Sequence, residues 1–364
     1  MTDQEAYLIL NALPAIGPVQ TRRAIEATGS IHALLVETGN LLSKVEGLTR
    51  PALDALKNWQ EHFDLDAELK KIEQHDVTIL HWEHETYPRR LKEIYDPPLV
   101  LYCRGEAAAL DKEGIGVVGS RRTTYYGLET AKKLSYQMAY AGLCVNSGLA
   151  RGIDTAAHQG ALAAKGRTVA VLGSSLDHLY PAENKALARK IVAERGAVIS
   201  EFPFGTAPDR RTFPMRNRIV SGMSTGILVV EAGKSSGALI TARMGLEHGK
   251  TIYAVPGQIN SPESKGCHGL IKEGAKLVEE VEDILSEYEF SFSKPEITPK
   301  RPWPDDLSEE ELKILKVMQT EEIQMDVLIQ KTELASHLVS SSLLRLEMRK
   351  LVRQLPGKIF IKTD

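Results

Sequence analysis

The chain has 364 residues, 43% of them hydrophobic and 26% charged, and a net charge of −3. A length of this order holds more than one domain, and the apolar content is enough for a sizeable core. The slightly negative balance excludes a whole-surface electrostatic grip on nucleic acid, so any anion site has to be a local basic patch.

The first residues, Met1-Thr-Asp-Gln-Glu5, show neither a basic region nor an apolar run, so no signal peptide is expected. No apolar run approaches membrane-spanning length, so no membrane association is expected. Cys103, Cys144 and Cys267 lie far apart without a CxxC pair, which argues against a zinc site or disulfide framework and fits a reducing cytoplasm.

Residues 1–75 read as one all-helical domain. Leu13-Pro-Ala-Ile-Gly-Pro-Val19 breaks one helix and starts another, which carries Arg22 and Arg23. Val45-Glu-Gly-Leu-Thr49 followed by Pro51 repeats the pattern, with Thr49 as cap and Pro51 in the first turn. The pair resembles helix-hairpin-helix units of SAM-like domains, which present backbone N–H groups to DNA phosphates. The second hairpin has few basic residues, which favours an ordinary packing role.

Residues 76–110 make a connector with one strand, Val77–Leu80, followed by Tyr87-Pro and Asp96-Pro-Pro, where proline enforces extended backbone. His81, Glu83, His84 and Glu85 lack metal-ligand spacing and read as a solvated turn.

From residue 114 to 288, apolar strands alternate with amphipathic helices. The expected strands are Ile115–Val118, Leu143–Asn146, Thr168–Leu172, Ala197–Ser200, Gly226–Val230 and Thr251–Val255. Helices such as Leu128–Ala141 and Asp154–Lys165 lie between them. This alternation predicts a Rossmann-like, doubly wound parallel sheet, with ligand beyond the carboxyl ends of the strands. Gly114-Ile-Gly-Val-Val-Gly119 has the letters of a dinucleotide fingerprint, but Val117 and Val118 belong to a strand inside it, so that reading fails.

The expected strand ends share one chemistry. Gly119, Ser120 and Arg121 leave the first, and Gly148 and Arg151 leave the second. Asp154 follows as a helix cap, and with His158 it reads as structural hydrogen bonding rather than catalysis. The third strand ends at Gly173, with Tyr180-Pro181 and Lys185 beyond it. The fifth ends at Glu231, before Ser236 and Gly237 at a helix start with free N–H groups. Between the fourth and fifth strands stands Arg211-Thr-Phe-Pro-Met-Arg-Asn-Arg218, preceded by Arg210. Pro214 suits a first helical turn, which sets Phe213, Arg216, Asn217 and Arg218 near a phosphate-binding helix start. The competing reading is that these arginines pair with acids between helices.

Residues 289–305 carry four prolines and no apolar period, and read as a linker. Residues 306–364 read as a winged helix. Ser308 and Glu311 form a capping box, helices are expected near 309–319, 324–332 and 336–350, and a hairpin turns at Pro356-Gly357. Its last helix carries Ser340, Ser341, Ser342, Arg345, Arg349 and Lys350, with Arg353, Lys358 and Lys362 beyond.

Gly119-Ser-Arg121, Ser147–Asp154 with His158, Phe213–Arg218, Ser236–Arg243 and Val255-Pro-Gly257 together resemble the DNA-processing protein A (DprA/Smf) family. The resemblance is strongest over about 80–285. It implies a single-stranded DNA-binding protein, a homodimer that protects incoming DNA and loads the RecA recombinase during natural transformation. It also implies a pocket carried by Ser120, Arg121, Arg216 and Arg218, with Gly119, Gly148 and Gly173 at the turn edge. Some members place a lysine directly after the Tyr-Pro; here that place is Ala182, and Lys185 is the candidate substitute. The expectation is a chain divided into a helical domain (1–75), an extended Rossmann-like DNA-binding domain (76–288), a linker (289–305) and a winged helix (306–364). No enzyme activity, cofactor or metal is expected. The alternative is a phosphoribohydrolase-like enzyme using the same glycine-rich pocket, with Glu231 as its acid. A third reading puts the DNA grip in the winged helix, with duplex preferred.

Overall fold

The alternating runs after residue 77 build a single nine-stranded sheet in the computed structural model, which describes residues 1–36, 45–288, 303–304, 306–318, 323–349, 351–355 and 357–362. Its strands are β1 (Thr78–His81), β2 (Val100–Gly105), β3 (Gly114–Val118), β4 (Cys144–Ser147), β5 (Thr168–Val171), β6 (Ala197–Ser200), β7 (Gly226–Val229), β8 (Thr251–Ala254) and β9 (Lys276–Leu277). Their spatial order is β1-β2-β6-β5-β4-β3-β7-β8-β9. Pairings from β6 through β9 are parallel, whereas β1–β2 and β2–β6 are antiparallel.

The six expected strands lie within a residue of their predicted limits. β2 and β9 were not expected. The run after Asp96-Pro-Pro reads locally as connector, yet β2 pairs with β6 and extends the sheet. β9 has two residues, too few for any period.

Helices cover both faces, which is why the inner strands are apolar without alternation. On one face lie α8 (Tyr125–Tyr140) and α9 (Ile153–Ala163), whose apolar sides share a core with β3 and β4. On the other lie α11 (Thr212–Met223), α12 (Ala238–Glu247) and α13 (Lys265–Lys272), through residues such as Ile219, Ala242 and Leu270. α10 (Lys185–Ala193) precedes β6, and α14 (Glu282–Leu285) follows β9. After β3 the chain moves outward through β4, β5 and β6, then returns to β7 on the other side of β3. Loops leaving β3 and its neighbours therefore diverge there and leave a crevice at their carboxyl ends.

The N-terminal helices are α1 (Asp3–Ala12), α2 (Pro18–Thr28), α3 (Ile31–Val36), α4 (Arg50–Lys57), α5 (Trp59–His62) and α6 (Leu65–Gln74); α7 (Arg89–Lys92) lies in the connector. Thr49 caps α4 by accepting from the Ala52 N–H, as its sequence predicts. These helices share one core with β1 and β2: Tyr7, Leu8 and Leu56 cluster with Ile79, Val100 and Tyr102. Arg22 is turned to that junction, donating to the Tyr95 carbonyl at 2.6 Å with its guanidinium 4.9 Å from the Trp82 ring centre. The His81 turn is only partly solvated, because the His81 ring stacks on Tyr7 at 4.8 Å. Burial there pulls its pKa down.

The C-terminal unit contains α15 (Glu309–Val317), β10 (Ile323–Gln324), α16 (Met325–Thr332), α17 (Ser336–Met348), β11 (Val352–Leu355) and β12 (Ile359–Lys362). Ser308 and Glu311 form the expected capping box. The strands make a small antiparallel sheet in the order β10-β12-β11 around a core of Ile314, Leu328, Val339, Leu346 and Phe360. Three helices and a β-wing make this a winged helix; β10 is an addition to the expected elements. Lys350, Pro356 and most of 289–305 fall outside the described residues.

Candidate functional site

Loops leaving β3, β4, β5 and β7 meet the start of α11 at one edge of the sheet and enclose a two-lobed cleft. The larger lobe, about 570 Å³, lies between the β3 loop (119–124), the start of α11 and the start of α12. The smaller, about 180 Å³, lies between the β4 and β5 loops and α11. Arg121, Arg122, Phe213 and Arg216 line both. At the division the Arg121 guanidinium lies 4.9 Å from the centre of the Phe213 ring.

Arg216 enters from the first turns of α11 and is buried. Its Nη1 donates to the carbonyls of Gly148 and, at 2.6 Å, Val171; its Nε donates to Asn217 Oδ1 at 3.1 Å. Burial lowers its pKa, and neighbouring Asp154 opposes that. Arg216 therefore ties the ends of β4 and β5 together while turning positive charge toward the cleft.

Two glycines serve this packing. A Cβ on Gly148 would overlap the Arg216 guanidinium, and one on Gly173 would lie 2.8 Å from Phe213 Cδ1. Both glycines border the smaller lobe, as expected of the turn edge, and the close approach their missing side chains permit is made by the chain's own Arg216 and Phe213. The β4 turn cradles a carboxyl group of the chain itself, that of Asp154. Gly148 and Ala150 donate backbone N–H groups to Asp154 Oδ2 at 3.1 and 3.3 Å. Burial raises the Asp154 pKa against the pull of Arg216 and these two N–H groups. His158, one turn on, is fully buried and pushed down to about 3 by burial and Arg216. Because Thr168 Oγ1 donates to the Val145 carbonyl, His158 Nδ1 must carry the proton it gives to Thr168. The structural reading of this pair matches these contacts, but the expected helix cap does not: Gly152 is the N-cap of α9, and Asp154, inside the helix, accepts from the preceding turn instead.

Gly119 and Ser120 reach the larger lobe, but a Cβ on Gly119 would collide with Ile153, and the Ser120 hydroxyl donates to the Arg122 carbonyl at 2.6 Å. Ser236 and Gly237 line the same lobe at the start of α12, with open space beside Gly237. Asn217 lines it as well. Arg151 borders the smaller lobe in an exposed two-pronged ion pair with Glu183, both contacts at 2.8 Å. Lys185 is exposed at the start of α10 and is not among the residues lining either lobe.

Arg218 is the clearest correction. It is buried away from the cleft, with Nη2 on Glu201 Oε2 at 2.6 Å, Nη1 on Oε1 at 3.1 Å and Nε on Asp96 Oδ2 at 3.0 Å. Burial alone would lower its pKa, but Glu201 and Asp96 outweigh that and raise it. The competing reading, arginine paired with acids, is right for this residue. Helix geometry gives the reason: positions two apart lie about 200° around the axis, so Arg216 and Arg218 cannot share a face. Glu231, the acid of the enzymatic alternative, is likewise engaged. It is buried and accepts from Thr123 Oγ1, from the Thr124 N–H at 2.8 Å and from Thr124 Oγ1 at 2.8 Å, at the start of α8.

Sequence reading did not single out Arg122 or Tyr180 as site residues. Arg122 lines both lobes, and Tyr180 borders the smaller one with its ring 6.1 Å from Phe213. The signal for Arg122 was adjacency to Arg121; Tyr180 reaches the cleft through a loop path that no periodicity encodes.

Comparison with known proteins identifies the family. Residues 78–289 match the family model described as DNA recombination-mediator protein A, and residues 298–358 match a DprA winged helix domain. A protein Smf from Synechocystis is 32% identical, with 98% of each chain covered. The X-ray structure of DNA processing protein A from Streptococcus pneumoniae is 35% identical, covering 79% of this chain and 99% of that one, with a TM-score of 0.68. A structure of DNA processing protein A from Helicobacter pylori, described for its single-stranded DNA binding mode, is 28% identical, covering 58% of this chain and 94% of that one, with a TM-score of 0.53. The chain belongs to the DNA recombination-mediator protein A (DprA/Smf) family.

Proposed function

We propose, from this family membership and the cleft, that the protein binds single-stranded DNA and loads RecA onto it during natural transformation. The observation that carries the reading is the convergence of Arg121, Arg122 and Arg216 with Phe213 and Tyr180 at one sheet edge. Guanidinium groups and the N–H groups of Ser236 and Gly237 hold phosphates without reading sequence, and the aromatic rings take bases. Arg151 guides the strand once it exchanges Glu183 for phosphate. The single-stranded DNA binding described for the Helicobacter relative supports this assignment.

In this reading the protein is a cytoplasmic homodimer without catalytic activity, and two clefts on one strand raise avidity through effective concentration. Residues 76–288 carry the binding; 1–75 brace them, and 306–364 form a separate domain beyond the 289–305 linker. Among the described residues no helix is long and apolar enough to cross a membrane.

The test is a titration of full-length protein with a fluorescent single-stranded oligonucleotide across salt concentrations. The logarithm of affinity falls with the logarithm of salt by about 0.7 per phosphate neutralised. Arg121→Glu, folded by circular dichroism, weakens binding about a hundredfold, the scale of a lost charge-assisted hydrogen bond. Unchanged affinity at low salt overturns the assignment. A RecA strand-exchange assay with and without the protein tests the loading step.

A further inference from the structure

We propose that Arg121 and Phe213 form a latch across the cleft, and that only a ligand bringing a base and a phosphate together opens it. The inference rests on the single-stranded DNA reading and deepens it.

Arg121 is exposed on the β3 loop and, among the described residues, forms no ion pair. Its guanidinium instead covers the Phe213 ring, and that contact stands where the two lobes meet. Gly173 backs the ring on its Cδ1–Cε1 edge, and Tyr180 lies beside it, tilted by 50°. In the free protein, the cation that would take a phosphate and the ring that would take a base therefore satisfy each other.

The partners of an opened latch follow from this. A phosphate alone draws Arg121 away but leaves an apolar ring face in water. A base alone takes the ring but leaves the displaced guanidinium without its π partner. One unit of an unpaired strand supplies both, with stacking on Phe213 and an ion pair to Arg121. A duplex keeps its bases stacked and paired inside, and a backbone stripped of bases has nothing to stack. Preference for unpaired, base-bearing strands then arises without any hydrogen bond to a base edge.

The experiment compares full-length wild type, Phe213→Leu and Arg121→Met in fluorescence anisotropy. The probes are an oligothymidylate and an abasic oligonucleotide of equal length. Wild type binds the oligothymidylate about tenfold tighter or more, the scale of one base stack. Phe213→Leu weakens oligothymidylate binding and strengthens abasic binding, because Arg121 is released, so the ratio falls to about twofold. Arg121→Met moves the ratio upward, because the ring is uncovered while the phosphate contact is gone. Equal binding of both probes by wild type overturns the latch and leaves the single-strand reading intact. So does a parallel loss for both probes in Phe213→Leu. No oligothymidylate binding by wild type at low salt removes both.

Discussion

The cleft and the winged helix both carry clusters of basic side chains, but they use the charge differently. At the cleft, Arg121 and Arg122 are exposed and, among the described residues, form no ion pair, Arg121 lying over the Phe213 ring, while Arg216 donates to carbonyls rather than carboxylates. In the winged helix, Arg345 pairs with Glu311 at 2.8 Å, Arg349 pairs with Asp306 at 2.9 Å, and Lys362 lies 4.8 Å from the Trp303 ring centre. The exposed positions of α17 include Leu344 and Met348. A count of arginines therefore says little about anion binding. What decides is whether the protein has already neutralised them.

Arg218 is the extreme case of a neutralised cation, and it gives the largest expected effect. Arg218→Ala leaves Glu201 buried and unpaired, and should cost about 3–5 kcal/mol of stability in urea unfolding. Below the transition, its affinity for single strands should stay near wild type; a selective loss of binding with stability intact would put Arg218 back among the cleft cations. The second effect concerns the buried floor. His158 titrates near 6.5 when unfolded and at about 3 when folded, so the unfolded chain takes up more protons between those values. Stability is therefore complete above pH 6.5 and falls as pH drops toward 3, by up to about 1.4 kcal/mol per unit. His158→Gln should flatten that slope in unfolding curves measured at several pH values. The smallest effect belongs to the winged helix. Arg349→Ala breaks a partly exposed pair and should change stability by at most about 1 kcal/mol. Its affinity for single strands should move less than twofold in the same titration, and a tenfold loss would erase the contrast between the two regions.

Much of the fold was legible because it depends on local chemistry. The apolar runs of β3 to β8 and the caps at Thr49 and Ser308 announce themselves in a few adjacent residues. β2 was not legible, because its place is set by its pairing with β6, nearly a hundred positions away. The site was partly legible. Arg121, taken from one motif, and Phe213 and Arg216, taken from another, converge at the cleft. The glycines were recognised, but their neighbours were not, since Gly148 and Gly173 make room for Arg216 and Phe213. Arg218 was misread although helix periodicity alone separates it from Arg216. Its partners Asp96 and Glu201 lie in other segments, so its burial was not visible.

The bonds from one guanidinium nitrogen of Arg216 to Gly148 and Val171 act as a cross-brace between neighbouring strands. Sideways parting of β4 and β5 would have to break at least one of them, because a single nitrogen cannot follow both carbonyls. That bank of the channel is stiff by construction.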